Sequence, residues 1–342
     1  MKTFDIGEIH KQADSRLAGA SYDPKKLALI YAGAALGISV LITLVDLFLL
    51  RGIGTTGGLS GLGMRSVLET IREVMQTALS FALPFWEFGF IFTALAMARG
   101  GDNRPAGLLE GFRRFGPVLR LRLQRGLLFI GIALVCVYAG AFLYYASPLA
   151  TELVALMEPI LLEATTVEEI EAALAQIPGD QLLGYVWPAL AFGGALCALV
   201  LLPLHYRFRM ADFFVMDEPK MLPMVAMITS SRCMRKNRMQ WFRLDLSFWW
   251  YYLGLGLSVA ACYGDMILPR LGVQLPMQSD DAWLLFYLLG SVLLFVVEWF
   301  GRSKVQTACA LAYDVLREQA PTFPTEPPKP ENQPWDPYPT EE

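Results

Sequence analysis

Residues 127–147 read LLFIGIALVCVYAGAFLYYAS, an apolar run without a single charged side chain. A helix needs about 20 consecutive apolar residues to cross the roughly 30 Å hydrocarbon core of a bilayer. Similar runs lie elsewhere in the chain of 342 residues, at 27–50, 75–98, 182–204, 246–268 and 282–301. Because open strands cannot satisfy their backbone groups in lipid, each run predicts a helix. The predicted fold is therefore all-α, a polytopic membrane protein with six transmembrane helices.

The composition supports this fold and excludes a soluble α/β enzyme. Hydrophobic residues make up 55% of the chain and charged residues only 18%, and the mean hydropathy is +0.42. The chain has two histidines, His10 and His205, no cysteine cluster, and neither an H-E-x-x-H nor a G-x-S-x-G motif. These are the minimum parts of zinc hydrolases and Ser-His hydrolases. We therefore predict a protein that is not an enzyme, with no catalytic residues, no metal, no cofactor and no nucleic-acid partner.

The positive charges flanking the 127–147 run lie on one side of the predicted membrane. Of the 28 Lys and Arg residues, 24 lie in residues 1–26, in the loops 99–126 and 205–245, or beyond residue 301. The loop 148–181 has seven acidic residues and no Lys or Arg. Cytoplasmic loops carry the excess of Lys and Arg. Both termini and the two basic loops are thus predicted to be cytoplasmic, and the acidic loop 148–181 to lie outside.

The six spans and the loops between them form a predicted membrane domain at 27–301. The segments on either side of this domain have sequence patterns of their own. Ile6, Ile9, Ala13 and Leu17 recur at helical spacing in the cytoplasmic segment 1–26, which predicts an amphipathic helix on the inner membrane surface. A cytoplasmic helix is predicted at 302–320. Residues 321–342 include eight prolines and no periodicity, a composition typical of a disordered tail.

Two further helices are predicted next to the spans. One runs from about Met64, after the Gly/Ser/Thr-rich outer loop 52–63, to Ala98, and Pro84 is expected to bend it. The other lies in the outer loop, where Thr165 and Glu168 form a capping box.

Four acidic residues lie inside or at the ends of apolar runs, and they are the strongest candidates for function. They are Asp46, Glu87, Asp265 and Glu298. A charge at mid-bilayer costs about 2.5–3.5 kcal/mol on insertion scales and marks ion or proton pathways. A protonated carboxyl group that hydrogen-bonds between helices, or an acid near enough to an interface to reach water, is the alternative interpretation. Glu87, between Trp86 and Phe88, is the deepest of the four.

Basic residues in the two inner loops are candidate contacts for anionic lipid head groups. They are Arg120, Arg122, Arg125, Arg232, Arg235, Lys236 and Arg238. Each charge near an anionic leaflet is worth about 1 kcal/mol. The alternative is that these residues only set the topology.

Residues 210–265 carry a resemblance to a known family. The matching positions are Asp217, Pro219, Ser231, Met234, Lys236, Trp241, Phe242, Leu244, Leu246, Ser247 and Phe248. In this arrangement a D-x-P turn leads to a surface helix and an aromatic-rich membrane span. It resembles the bacterial integral membrane family catalogued as domain of unknown function 975, over most of residues 5–315. The resemblance implies a multi-pass protein of the bacterial plasma (inner) membrane and leaves its activity open.

The sequence therefore favours a small transporter or channel-like protein, or one that interacts with lipid. The partner common to both is the lipid bilayer. The alternative is a membrane scaffold that recruits partners through its cytoplasmic loops and tail.

Overall fold

The computed structural model describes residues 4–45, 59–163, 166, 179–270 and 279–318. These residues form helices joined by turns, and no β-strand occurs among them. The α-helices in chain order are α1 Ile6–Ala18, α2 Pro24–Val45, α3 Leu59–Ala98, α4 Glu110–Arg113, α5 Phe115–Tyr145, α6 Pro148–Glu163, α7 Gly179–Arg207, α8 Ala211–Asp217, α9 Pro223–Met234, α10 Arg238–Ser247, α11 Trp249–Cys262, α12 Gly264–Arg270 and α13 Ser279–Arg317. A 3₁₀ helix, Pro105–Leu109, precedes α4.

Within the described ranges, five helical segments are long and apolar enough to cross a membrane. They are Pro24–Leu41, Phe81–Ala98, Phe115–Tyr145, Ala191–Asp217 and Ala282–Arg317. The described residues are thus all-helical, as predicted, and the five apolar helices are consistent with a multi-pass membrane protein. The predicted span at 246–268 is not a single helix, because the chain breaks at Phe248 and again at Tyr263. The first break buries the Phe248 ring, which lies 4.5 Å from the ring of His10.

The chain forms two compact units, residues 1–119 with 209–342, and residues 120–208. Helix α13 is the central helix of the first unit and packs against α1, α2, α3, α11 and α12. Glycines allow the close approach of α11 and α13. A Cβ at Gly254 would overlap the side chain of Val297, and one at Gly290 would overlap Cys262. Small residues at helix interfaces are typical of membrane bundles.

The segment of the cytoplasmic helix predicted at 302–320 is helical as far as Arg317. It is the last part of α13, which continues from the predicted sixth span through Gly301 without interruption. Val305, Ala308, Ala312 and Leu316 are all buried. The small and apolar side chains of this segment therefore form core rather than a solvated helix face.

Helix α1 has the predicted amphipathic pattern, but its apolar face packs on protein. Asp5 caps its N-terminus by accepting a hydrogen bond from the Gly7 amide at 3.1 Å. Ile9 and Ala13 are buried, and α1 contacts α13 and α3. The residues expected to insert into the inner membrane surface thus attach the N-terminus to the first unit.

Helix α3 is continuous from Leu59 and contains Pro84, in agreement with the predicted helix from Met64 to Ala98. The segment 105–113 packs unusually closely on it. A Cβ at Gly89 would overlap the carbonyl group of Leu108, and one at Gly111 would overlap the carbonyl oxygen of Phe85. Only glycine fits at these two positions, because the obstacle is backbone rather than a movable side chain.

The second unit comprises most of α5, together with α6 and α7. The outer loop predicted at 148–181 begins with a helix, α6, which contacts α7. The predicted helix that starts at Thr165 and the proline-rich tail at 321–342 lie outside the described residues.

Candidate binding cavity

A cavity of about 380 Å³ lies between α2, α3 and α13 in the first unit. Its polar lining consists of Tyr31 and Ser39 from α2, Glu87 from α3, and Ser291 and Glu298 from α13. The remaining lining side chains are aliphatic, proline or phenylalanine. Two of the four predicted intramembrane carboxylates therefore lie at the same cavity.

Helical spacing explains why these side chains converge. Ser291 and Glu298 are seven residues apart on α13, two helical turns, so they share one face. Tyr31, Ala35 and Ser39 repeat every four residues on α2 and also share a face. Both helices thus turn a stripe of polar and small residues toward α3.

The carboxylate of Glu298 is neutralised inside the protein. Arg302 Nη1 donates to Glu298 Oε1 at 2.9 Å and to Oε2 at 3.0 Å. The Tyr251 hydroxyl donates to Oε2 at 3.1 Å. The side chains of Arg302 and Glu298 are only 6% and 12% exposed. Arg302, which counted among the cytoplasmic charges in the sequence, is therefore the buried counter-ion of a predicted intramembrane acid.

Aromatic rings hold the guanidinium of Arg302. Its Cζ lies 3.9 Å from the ring centre of Tyr31 and 5.1 Å from that of Phe90. Such cation–π contacts are worth about 2 kcal/mol or more when desolvated. Nε and Nη2 are buried and have no hydrogen-bond partner among the described residues. Glu87 is close enough to attract the same guanidinium electrostatically. Glu87, Arg302 and Glu298 thus form one charge cluster, which we call the cavity triad.

The other two predicted carboxylates do not join the cavity triad. Asp46 lies outside the described residues. Asp265 lies in the first turn of α12, and its Oδ1 is buried with no hydrogen-bond partner in the described part of the chain. It does not line the cavity.

The predicted lipid contacts fall in both units. Arg232, Arg235 and Lys236 are exposed where α9 ends and the chain turns into α10, and Arg238 is half-buried at the start of α10. The three arginines of the other cluster lie in the first part of α5. Arg120 is exposed, and Arg122 and Arg125 are half-buried. The exposed charges are accessible to head groups.

Sequence reasoning missed an ion network that links the end of α3 to α8 and α13. Arg99 makes a bidentate pair with Asp217 at 2.6 and 2.9 Å, and its Nε also donates to Asp314 at 3.1 Å. Tyr313 and Arg317 donate to Asp217 as well. Hydrogen bonds to Asp217, then Asp314, raise the pKa of Arg99. We call these five residues the Arg99 network. Asp217 was singled out only by the family resemblance.

Two polar contacts fasten α1 to the rest of the first unit. Lys304 pairs with Asp14 at 2.7 Å. His10 Nε2 lies 2.7 Å from the hydroxyl of Ser247, whose proton goes to the Leu244 carbonyl, so the histidine is the donor. Burial and the nearby charge of Lys304 lower the pKa of His10 below 6.5. The docked helix therefore favours a neutral imidazole.

The second unit has a smaller cavity of about 200 Å³, lined by Leu143, Tyr144, Ser147, Pro188 and Phe192 among others. The lining side chains that the structure describes include no charged group. It therefore provides no electrostatic basis for recognising an ion.

No family model, no curated protein and no solved structure matches this chain, so its similarity to domain of unknown function 975 stays a prediction from the residues alone.

Proposed function

We propose that this chain is a non-enzymatic membrane protein that binds a small solute in the cavity between α2, α3 and α13 and carries it across the membrane. The observation that supports the proposal is the convergence of Glu87 and Glu298 on one cavity. Carboxyl groups are costly within apolar spans, and they are common in the substrate pathways of transporters. A scaffold would need neither the cavity nor two acids beside it.

The proposed topology has six spans with both termini in the cytoplasm of a bacterial cell, in the plasma membrane. Helices α11 and α12 together would provide the crossing that the sequence predicts at 246–268. The distribution of Lys and Arg supports this orientation. Single cysteines at Arg235 and Glu152, in a background without the five native cysteines, test it with an impermeant maleimide on intact cells. Labelling at 152 but not at 235 is expected, and the reverse pattern would refute the topology.

Transport itself is tested by filling the cavity. Ala35 lines it, and Ala35→Trp would occupy much of its volume. Leu29, on the same helix, is exposed, so Leu29→Trp is a matched control. We expect purified protein in liposomes to release at least one trapped probe from a panel of benzyltrimethylammonium, benzyl alcohol and benzenesulfonate. Release should be lost in Ala35→Trp and kept in Leu29→Trp. Absence of protein-dependent release, or equal release by both variants, would refute transport and favour the scaffold.

A second, compatible role is contact with anionic lipid. It is supported by the exposure of Arg232, Arg235 and Lys236 at one turn, next to the exposed apolar side chains of Met239 and Phe242. Replacing the three cations with Gln should reduce co-purified phosphatidylglycerol and cardiolipin, because each charge contributes about 1 kcal/mol near an anionic leaflet. Unchanged lipid retention in native mass spectrometry would leave these residues with a topological role only.

A further inference from the structure

Helix α10, Arg238–Ser247, exposes an apolar face. Met239 and Leu246 are 62% and 57% exposed, and their spacing of seven residues, two helical turns, places them on the same face. The opposite face is buried, and it carries Trp241 and Leu244. Both faces of α10 are therefore apolar, although only one of them is buried.

Helix α1 provides a comparison, because its exposed face has the composition expected of a face in water. Its buried residues are Ile9 and Ala13, and its exposed face carries Glu8, Lys11 and Gln12. A surface helix in water has polar and charged residues opposite its core-facing stripe. Helix α10 departs from this pattern, so its exposed face is suited to apolar surroundings.

The exposed charges around this face are all positive. Arg235 and Lys236 precede the first turn of α10, and Arg243 lies on the helix itself. The only acidic residue between positions 232 and 247 is Asp245, which is buried and accepts a hydrogen bond from the Tyr252 hydroxyl at 2.9 Å. Basic residues next to a membrane span are attracted to the anionic cytoplasmic leaflet. A second copy of the chain docked through this face would instead bring two basic surfaces together, which opposes association.

Helix α10 also leads directly into a predicted membrane crossing. It ends at Ser247, and α11 begins at Trp249. Trp249 and Trp250 are both exposed at this junction. Tryptophan is enriched at the interface between membrane and water. The junction therefore suits the depth of the head groups, on the side that the topology proposed above makes cytoplasmic.

From the apolar face, the positive charges and the tryptophan junction, we infer that α10 lies in the plane of the inner leaflet. Met239 and Leu246 contact lipid acyl chains, and the three flanking cations lie at the level of the head groups. In-plane helices of this kind bury their apolar face about 5–10 Å into the boundary between head groups and acyl chains. The inference rests on the second role proposed above, contact with anionic lipid, and adds insertion into the acyl layer.

Photo-crosslinking of the wild-type protein in nanodiscs tests the inference. The nanodiscs contain phosphatidylglycerol with a diazirine on one acyl chain, and labelled tryptic peptides are identified by mass spectrometry. Trypsin releases residues 239–243 from α10 and residues 12–16 from α1, two peptides of equal length. We expect the acyl probe to label 239–243 and to spare 12–16. Equal labelling of the two peptides would overturn the inference, and so would the absence of label on 239–243, the result expected if a second copy covered this face.

Two double variants assign the insertion to the apolar face. Met239→Gln/Leu246→Gln should lower acyl labelling of 239–243 at least about threefold, because each lost apolar side chain weakens partitioning into the acyl layer. Glu8→Gln/Lys11→Gln, on the exposed face of α1, is the matched control and should be labelled like the wild type. Unchanged acyl labelling in Met239→Gln/Leu246→Gln would refute the role of these two side chains. If that variant does not fold, the peptide comparison on the wild-type protein still decides.

Failure of this inference can be distinguished from failure of the lipid role proposed above. If the Gln variant of Arg232, Arg235 and Lys236 loses anionic lipid while the acyl probe never labels 239–243, head-group contact stands and insertion is wrong. If that variant keeps its lipid while 239–243 is labelled, insertion stands and the three cations have a topological role only. If lipid retention is unchanged and 239–243 is not labelled, both proposals fail.

Discussion

Breaking the ion pair between Glu298 and Arg302 should strongly destabilise the first unit. Arg302→Met would leave Glu298, which is 12% exposed, with the Tyr251 hydroxyl as its remaining hydrogen-bond donor among the described residues. Removing one partner of a buried pair costs about 3–5 kcal/mol, because the remaining charge is uncompensated. Glu298→Gln should cost less, since Glu87 still attracts the guanidinium. At an effective dielectric constant of about 20, unit charges 4 Å apart attract by about 4 kcal/mol, which sets the upper range of the coupling between the two residues.

A double-mutant cycle measures that coupling. The free energy of unfolding of the wild type, both single variants and Arg302→Met/Glu298→Gln is obtained from reversible SDS-induced unfolding in mixed micelles. The double variant should be more stable than additivity predicts, by about 2–4 kcal/mol. Glu110 and Arg113 form a comparable pair at 2.6 Å in which the arginine is 68% exposed. Its cycle should give about 0–1 kcal/mol. If the Glu298–Arg302 coupling is no larger than that of the control, the pair is not a stabilising buried interaction.

Three further predictions concern packing, the Arg99 network and α1. Gly89→Ala should lower the free energy of unfolding by about 1–3 kcal/mol or more, because the new Cβ would overlap the Leu108 carbonyl group. Gly126→Ala is the control in the same unfolding assay: nothing lies within 4 Å of its new Cβ, so it should be neutral or stabilising. Arg99→Gln should lower the free energy of unfolding by about 1.5–3 kcal/mol, because its partner Asp217 is only 9% exposed. Arg104→Gln removes an ion pair with Asp102 in which both side chains are exposed, so it should lower the free energy of unfolding by only about 0–1 kcal/mol. Equal losses in the two variants would contradict the importance of the network. His10 takes up a proton near pH 6.5 when α1 is undocked, and only at lower pH when α1 is docked, because docking lowers its pKa. Docking of α1 should therefore weaken as the pH falls from 7.5 to 5.5. Amide hydrogen exchange in α1 should become faster over that range in the wild type and stay unchanged in His10→Gln.

The helices that are long and apolar enough to cross a membrane were predictable because the length of an apolar run is a local signal. Helices α2, α3, α5, α7 and α13 fall on five of the six runs. The breaks at Phe248 and Tyr263 were not predictable, since no proline precedes them. The contact of the Phe248 ring with His10, 238 residues earlier in the chain, is likewise not encoded in a local pattern. The burial of the last part of α13 could have been predicted from the sequence. Its small and apolar residues Val305, Ala308, Ala312 and Leu316 recur three to four residues apart, which is typical of a helix that packs one face on protein.

The candidate site was predicted in part. Glu87 and Glu298 were identified because a charge within an apolar run is unusual. Arg302 follows Glu298 by four residues, the spacing of a helical ion pair, so the partner of this acid was also readable in the sequence. The cavity and the Arg99 network were not. Arg99 lies 118 residues from Asp217 and 215 residues from Asp314, and no local pattern encodes such separations.

Helix α13 is long enough to connect the cavity of the first unit with the Arg99 network. Its 39 residues, at about 1.5 Å each, extend about 58 Å, nearly twice the thickness of the hydrocarbon core. Glu298 and Asp314 lie on this one helix, about 24 Å apart along its axis. Three members of the Arg99 network, Tyr313, Asp314 and Arg317, therefore belong to the same helix as Ser291 and Glu298 of the cavity wall. Any rigid-body shift of this helix would change the Arg99 network and the cavity wall together.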